Sequence, residues 1–437
     1  MAIDRLFSRR RGRRGRVRWL WLLVLAPAVL LLRPLFGTVE PVQETQAYTE
    51  VVVPPLGSPT PPGLTAASAI LMDADTGTIL YQKHPHARRP MASLTKMMTG
   101  ILAIEHGHLD DVVTASANAS KTPFTGLYLK EGEKVKLRDL LWGLLLRSAN
   151  DACVAAGEKV AGSEAKFVEM MNAKAKALGL KDTHFMNPHG LNADGHYSSA
   201  YDLAQIARCG LQKPLFAEIV GHKYHRIGRS IEKKDEVVVN KNRLLFRWDR
   251  ADGVKTGYTK EAGHCLAASA SANGWRLIAV VLKSADSWTE SRTLLQWGMS
   301  RFQQVVVAKK GTPLATVQVL GGLQPKVQAI VAKDIATVAP RGARVDLKTQ
   351  VAPGKMRAPV KQGDMVGTLV ARRGDREIGR ALLLAAASVE PQPLFRFPGS
   401  IVSIAAAIGA LLILAAGARY GRKVAQGSGG RRRRLTP

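Results

Sequence analysis

The stretch MASLTKMMTG, residues 91–100, sets Ser93 three residues ahead of Lys96 in an apolar run that contains no acid. Residues three apart on a helix share a face, so the serine hydroxyl and the lysine amine become neighbours. Met91, Leu94, Met97 and Met98 can desolvate the amine and lower its pKa, while a helix start just after Pro90 favours developing negative charge on the serine. The pattern is that of a nucleophile beside its base, and the fold is read outward from it.

The same four-letter spacing recurs twice, so its surroundings must separate the copies. Ser163 to Lys166, in SEAKF, reads as a helix cap followed by a solvated lysine, and Ser230 to Lys233, in SIEKKDE, lies in a run of surface charge. A second motif, Ser-Ala-Asn, occurs at 116–118, 148–150 and 271–273. The first copy falls in a polar stretch expected to be a loop, and the last forms the turn of a hairpin. Ser148 and Asn150 instead interrupt two strongly apolar helices, where a buried polar pair is costly without a task. A third element, Lys255-Thr256-Gly257, occurs once, on a strand after the Asp252-Gly253 turn.

Around these motifs the hydrophobic periodicity predicts a hairpin in ASAILMDADTGTILYQK and a helix over 92–106. It predicts another helix in VKLRDLLWGLLLR that breaks at Ser148 to Asn150 and resumes in NDACVAAGEKVA. A third helix, EAKFVEMMNAKAKALGL, follows, and a second hairpin joins GVKTGYTKEAGHCLAASA to WRLIAVVLKS. Strands at both ends with helices between them indicate one mixed α/β unit over residues 65–303, its sheet closed by distant segments. Residues 304–392 change to short alternating strands punctuated by Gly and Pro, the pattern of a small all-β sandwich.

The ends are of a different kind. Residues 1–18 hold eight arginines and one acid, and residues 419–437 hold seven cations and no acid. Subtracting these two tails from the formal +29 leaves +15 on the rest. The tails flank WLWLLVLAPAVLLL (19–32) and GSIVSIAAAIGALLILAAGA (399–418), the two long uncharged apolar runs. The first has the form of a secretory signal core or short anchor, so residues 1–38 read as a basic tail with a signal or anchor segment. No small-x-small site follows it directly, which leaves cleavage open. The second is long enough for a transmembrane helix, and its basic flank, 419–437, belongs in the cytoplasm by the positive-inside rule. Residues 39–64 are rich in proline and read as a tether.

Both termini are then expected in the cytoplasm if the N-terminal segment is retained, with the globular parts outside the cell membrane. That topology argues against nucleic acid as a partner and favours an anionic cell surface. Cys153, Cys209 and Cys265 read as small buried residues, with one pair plus one free thiol as the alternative. The ten histidines accompany no ligand cluster, so no metal and no cofactor are read.

Taken in order, Ser93/Lys96, Ser148/Asn150 and Lys255/Thr256/Gly257 resemble the serine-acyltransferase set of penicillin-binding proteins and β-lactamases. FMNPHGLNADGHYSSAYDLAQIA (185–207), NKNRLL (240–245), KTGYTKEAGHCLAASA and LLQWG (294–298) extend the likeness to D-alanyl-D-alanine carboxypeptidases of low molecular mass. APVKQGDMVGTL (358–369) is similar to the β-domain that follows catalysis in that family. One departure concerns the anchor, since many relatives use an amphipathic C-terminal helix and the run here is apolar all round.

The resemblance implies a β-lactamase/transpeptidase-like α/β fold that trims peptidoglycan stem peptides and is inhibited by β-lactams. It implies that Ser93 attacks between two D-alanines, that neutral Lys96 takes its proton, that Ser148 relays a proton to the leaving amine, and that Asn150 orients Lys96 and the substrate amide. Lys255 and Thr256 would hold the terminal carboxylate, and the amides of Ser93 and Tyr258 would form an oxyanion hole, with Gly257 permitting close approach. Lys255 is expected to hold the Lys96 pKa down. His189 is expected to position a loop near the site, and Arg292 to be a helix-surface charge.

Three other readings compete. A β-lactamase needs a deacylating Glu-x-x-x-Asn glutamate; Glu169 lacks the asparagine, and Glu236 to Asn240 fits only as letters in a strand-like segment. A D,D-endopeptidase would use the same site on cross-linked peptides. A non-enzymatic wall-binding protein would have no need of the intact trio.

Overall fold

The computed structural model describes residues 62–233, 236–342, 347–373, 376–392 and 399–427. The expected N-terminal tail, signal or anchor segment and nearly all of the tether lie outside the described residues, as does the end of the basic C-terminal tail.

A five-stranded sheet organises the first unit. Its order is Ile79–Lys83, Ser68–Asp73, Trp275–Ser284, Gly263–Ala272, Ala251–Thr259, and every neighbouring pair is antiparallel. Both predicted hairpins are present, and Ser68–Asp73 joins them by pairing with Trp275–Ser284. Successive side chains on a strand face opposite ways, so an apolar run with no polar alternation must be covered on both faces. Ile278, Val280 and Leu282 face one core together with Leu94, Met97 and Leu203, whereas Leu277, Ala279 and Val281 face another with Leu294 and Leu295. The first core lies under the helices Lys96–His106, Asn150–Ala161 and Ala200–Leu211, and the second under Ser287–Arg301.

Two local expectations change. Lys134–Lys136 is a strand paired with Val112–Thr114, so the helix predicted from Val135 begins at Leu137. Pairing with that distant segment outweighs the helical pattern of Val135 and Lys136. Ser116 caps a short helix, Ala117–Ser120, by accepting from Ala119 N, in place of the expected loop. The break at Ser148 is present: Gly143–Arg147 forms a π turn, and Ser148 follows in the left-handed region with φ 68°.

Helix Ser287–Arg301 runs directly into the strand Phe302–Ala308. Phe302 packs edge-on against Trp297 at 5.4 Å and belongs to the core shared with Leu294 and Leu295. The all-β part holds a two-stranded pair, Phe302–Ala308 with Ile335–Pro340, and a six-stranded sheet. Val317, Leu369, Leu383 and Val389 lie in its own core. After it comes the helix Gly399–Gly427. Its window Ser403–Tyr420, with mean hydropathy 1.7, makes it the one helix long and apolar enough to cross a membrane among the described residues.

Cys153, Cys209 and Cys265 are buried free thiols. Arg292 is an exposed helix charge whose guanidinium lies 5.8 Å from the Trp248 ring.

Candidate active site

Ser93 sits in the 3-10 turn Ala92–Thr95 that leads into the helix Lys96–His106. The residue before it, Ala92, has φ 48°, a left-handed backbone that an alanine adopts only where its surroundings hold it. The holding is visible: Gly190, at φ 90°, packs so closely that a Cβ there would lie 2.0 Å from the Ala92 carbonyl oxygen. Gly190 is fixed in turn by Asn187, whose Oδ1 accepts from Gly190 N at 2.7 Å and whose Nδ2 donates to Leu191 O.

Lys96 is fully buried, and its Nζ has three neighbours. Ser93 Oγ lies at 2.9 Å, Asn150 Oδ1 at 2.8 Å, and the His189 carbonyl oxygen is the third. Asn150 Nδ2 donates to Pro123 O at 2.8 Å, which fixes the amide so that its oxygen faces the lysine. A neutral amine has two N–H donors and one lone pair. The Asn150 and His189 oxygens accept on two sides of the amine, and its third side faces the serine hydroxyl. Burial lowers the Lys96 pKa to about 8, with the Lys241 cation adding to the effect. Lys255 was expected to supply that push, and the repulsion between the two buried amines is present; Lys241, on the loop Asn240–Arg243, adds a second cation that the expectation lacked. Lys255 is itself buried and its pKa falls well below the ordinary lysine value, first through burial and then through Lys96.

Ser93, Ser148, Thr256, Gly257 and Tyr258 line one cleft of about 460 Å³. Lys255 precedes them on the strand Ala251–Thr259, its Nζ 3.1 Å from Thr256 O. Gly257 passes so near the serine turn that a Cβ would lie 3.2 Å from Ser93 N and 3.1 Å from Met91 O. The residues read from the three motifs are thus brought together.

The other copies are elsewhere: Ser163 Oγ accepts from Lys166 N as a helix cap, and Ser230 Oγ accepts from Lys134 N. Ser116 Oγ donates to Glu158, and Ser271 Oγ to Asp252. Glu169 is exposed on its helix, and Glu236 pairs with Arg226 at 3.1 Å.

His189 holds its loop. Its Nδ1 accepts from Leu191 N, and burial together with the Lys96 charge pushes its pKa down to about 3, leaving the ring neutral. His196, lowered to about 4 mainly by burial, bonds Thr95 Oγ1 beneath the serine turn. The same cleft is lined by residues to which the sequence analysis gave no role: Thr125, Lys241, Arg243, His264 and Trp288. Lys241 and Arg243 alternate with the buried Asn240 and Asn242, whose partners are the distant carbonyls of His222 and Gly253.

The D-alanyl-D-alanine carboxypeptidase family matches residues 57–286, more than half of the chain. The chain belongs to that family. Residues 302–391 of this carboxypeptidase match the family described as the penicillin-binding protein 5 C-terminal domain. It is 36% identical to the D-alanyl-D-alanine carboxypeptidase DacF of Bacillus subtilis, over 70% of this chain and 82% of that one. It is 37% identical to DacD of Escherichia coli, over 77% of this chain and 90% of that one. Among solved structures, penicillin-binding protein 5 from Haemophilus influenzae aligns with a TM-score of 0.63 at 32% identity, covering 76% of this chain and all of that one. Penicillin-binding protein 6B from Escherichia coli aligns at 0.58 and 34%, covering 77% and 99%. The carboxypeptidase is therefore a serine peptidase of the D-Ala-D-Ala type on a β-lactam-binding fold.

Proposed function

We propose that Ser93 is the nucleophile of a membrane-anchored D-Ala-D-Ala carboxypeptidase that removes the terminal D-alanine from peptidoglycan stem pentapeptides. Neutral Lys96 takes the Ser93 proton as Oγ bonds to the carbonyl carbon of the penultimate D-alanine. The amides of Ser93 and Tyr258 receive the oxyanion, and the approach of Gly257 to the serine turn favours that assignment. Ser148 passes a proton to the amine of the departing D-alanine as the peptide C–N bond breaks. Water then hydrolyses the ester, with Lys96 again holding the proton that the water gives up. Asn150 orients Lys96 and the substrate amide, and Lys255 and Thr256 hold the terminal carboxylate. A carboxylate arriving beside Lys255 favours its ammonium form, which keeps Lys96 as the neutral partner of the pair.

The reading extends to the arrangement of the chain. Residues 65–303 form the carboxypeptidase unit and 304–392 the β-domain, both outside the membrane. Residues 399–418 span it, 39–64 tether the unit, and both charged tails lie in the cytoplasm when the segment within 1–38 is retained.

The single observation that carries the mechanism is the three-sided setting of the Lys96 amine, with two fixed acceptors and the serine on the remaining side. The test is release of D-alanine from a synthetic pentapeptide compared with cleavage of a cross-linked dimer, for the parent protein and Ser93→Ala. The expected result is D-alanine release that Ser93→Ala abolishes. Release that survives Ser93→Ala would overturn the nucleophile, and a preference for the dimer would make the protein an endopeptidase.

A further inference from the structure

At one end of the β-domain a hairpin tip carries two exposed leucines. Pro313–Leu320 and Lys326–Val331 pair antiparallel, and residues 321–325 turn between them. Gly321 takes φ 68°, and Gly322 has no room for a Cβ, which would lie 2.6 Å from Val389 Cγ1. Residues 389–392 strap this tip: Leu323 N donates to Glu390 O at 2.8 Å, Gln392 N donates to Gly321 O at 2.7 Å, and Gly322 bridges to Pro391. Leu320 and Leu323 nevertheless remain 56% exposed each.

Register places charge beside them. Along Pro313–Leu320, Val317 and Val319 enter the β-domain core, so Gln318 and Leu320 face outward. Lys326 lies opposite Gln318 in the antiparallel pair, and Arg357 lies beside Leu320 in the parallel pair with Met356–Arg357. Paired residues share a face of the sheet, so Lys326 and Arg357 flank Leu320 on its outward side. Both cations are exposed, and no carboxylate among the described residues pairs with either; Glu390 is the acid on the strap. Exposed leucines rimmed by cations are the composition of a surface that lies in the interface of a lipid bilayer. The chain itself supplies the bilayer: six residues separate Gln392 from Gly399, where the apolar helix Gly399–Gly427 begins. That connection spans at most about 25 Å. The strap that holds the tip is thus the segment that leads into the anchor.

We propose that this hairpin tip docks on the outer face of the membrane that holds the Gly399–Gly427 helix, with Leu320 and Leu323 entering the headgroup region and Lys326 and Arg357 against anionic headgroups. The inference rests on the anchor and the orientation proposed above. Apolar side chains gain by leaving water, and each cation beside a negatively charged lipid surface strengthens the contact about fivefold. A contact of this size would not hold a protein by itself. With the helix already in the bilayer, the tip meets the surface as an intramolecular partner at high effective concentration. The docked tip fixes how the β-domain stands on the membrane, which a single helix and a short connection leave free to swing.

The experiment reconstitutes the full chain in vesicles of phosphatidylcholine, with or without phosphatidylglycerol, and reads quenching by brominated lipid of a fluorophore on Leu323→Cys. Cys153, Cys209 and Cys265 are buried, so the label goes to the new thiol. Lys333→Cys, exposed beyond the other end of Lys326–Val331, is the control position. Lipid quenching is expected at 323 and not at 333. Lys326→Gln with Arg357→Gln should lower the docked-to-free ratio about twentyfold in the anionic vesicles and little in phosphatidylcholine alone. Leu320→Ser should lower it in both. Cleavage of a soluble pentapeptide should be unchanged in every variant, which shows that each is folded. Quenching at 323 no greater than at 333 would overturn the proposal. So would a label shielded from iodide on both sides of the membrane yet not reached by brominated lipid, which would give the patch to a second copy of this chain. Protein that alkaline carbonate strips from the vesicles would overturn the anchor itself and the docking with it, a failure distinct from an anchored chain whose tip stays in water.

Discussion

Asn150 and Lys96, 54 positions apart in sequence, meet at 2.8 Å, and the asparagine's own amide is tied to Pro123 O so that only its oxygen can face the amine. Lys96 therefore has two fixed acceptors, Asn150 Oδ1 and His189 O, and turns its remaining side to Ser93 Oγ at 2.9 Å.

The first prediction follows from that setting. Lys96→Arg is expected to lower acylation by about a hundredfold or more, because a guanidinium is no base near neutral pH. In the parent enzyme the base form is the active one, so kcat/KM should rise with pH through about 8, where Lys96 loses its proton. Lys241→Ala removes a nearby cation that lowers this pKa, so the rising limb should move to higher pH. Stopped-flow acylation by a chromogenic β-lactam measures both, and a limb that stays in place would discard the Lys241 contribution.

Labelling with a fluorescent penicillin should mark Ser93 alone and persist. The leaving group of a β-lactam stays tethered and shields the ester, while Glu169 is exposed on its helix and Glu236 is engaged by Arg226. Neither lines the cleft that holds Ser93. Peptide mapping checks the site, and loss of label within seconds would indicate a β-lactamase.

Gly257→Ala should act on rate more than on stability. The new Cβ would lie 3.1 to 3.2 Å from Met91 O, Ala92 Cβ and Ser93 N, so the strand must move away from the serine turn. A displacement of that kind costs about a hundredfold in acylation rate. Circular dichroism alongside the kinetics separates this outcome from unfolding.

Glu133 and Arg229 form a bidentate pair with both side chains wholly buried, Nε to Oε1 at 2.9 Å and Nη2 to Oε2 at 3.0 Å. Glu133→Gln leaves the guanidinium buried against a neutral amide and should cost about 3–5 kcal/mol in urea unfolding. Burial alone would raise the Glu133 pKa, but the hydrogen bonds from Arg229 and Lys130 N, with the Arg229 charge, outweigh it and lower it. The folded value is the depressed one, so the pair's contribution is complete above the unfolded glutamate value and disappears as pH falls through the folded one. Stability of the parent should fall on acidification more steeply than that of Glu133→Gln.

Topology is tested on cells stripped of their wall. Added protease should remove residues from about 65 to 390 and spare a tag after Pro437, as the basic flanks of both apolar runs require. Loss of the tag would reverse the assignment of the C-terminal tail.

The site was legible in the sequence where chemistry depends on local spacing. Ser93 and Lys96 share a helical face, and Met91, Leu94, Met97 and Met98, all buried, reported the desolvation in advance. What escaped was set by long-range contact. The left-handed Ala92 depends on Gly190, 98 residues on, and Lys241 adds a charge that helps to lower the Lys96 pKa. Nothing in NKNRLL taken alone says that its asparagines turn inward, because their partners are carbonyls of His222 and Gly253. The first residues of the helix predicted from Val135 escaped for the same reason, since they pair with the distant Val112–Thr114.

Ser68–Asp73 takes its place in the sheet by pairing with Trp275–Ser284, a segment made some two hundred residues later. The strand that carries Lys255 is joined to that late segment through Gly263–Ala272. A nascent or exported chain that stops short of residue 275 thus possesses every motif and lacks the framework that aligns them. Reaction with a penicillin is therefore expected to report completion of this sheet: absent in a chain that ends before Trp275 and present once Trp275–Ser284 has paired.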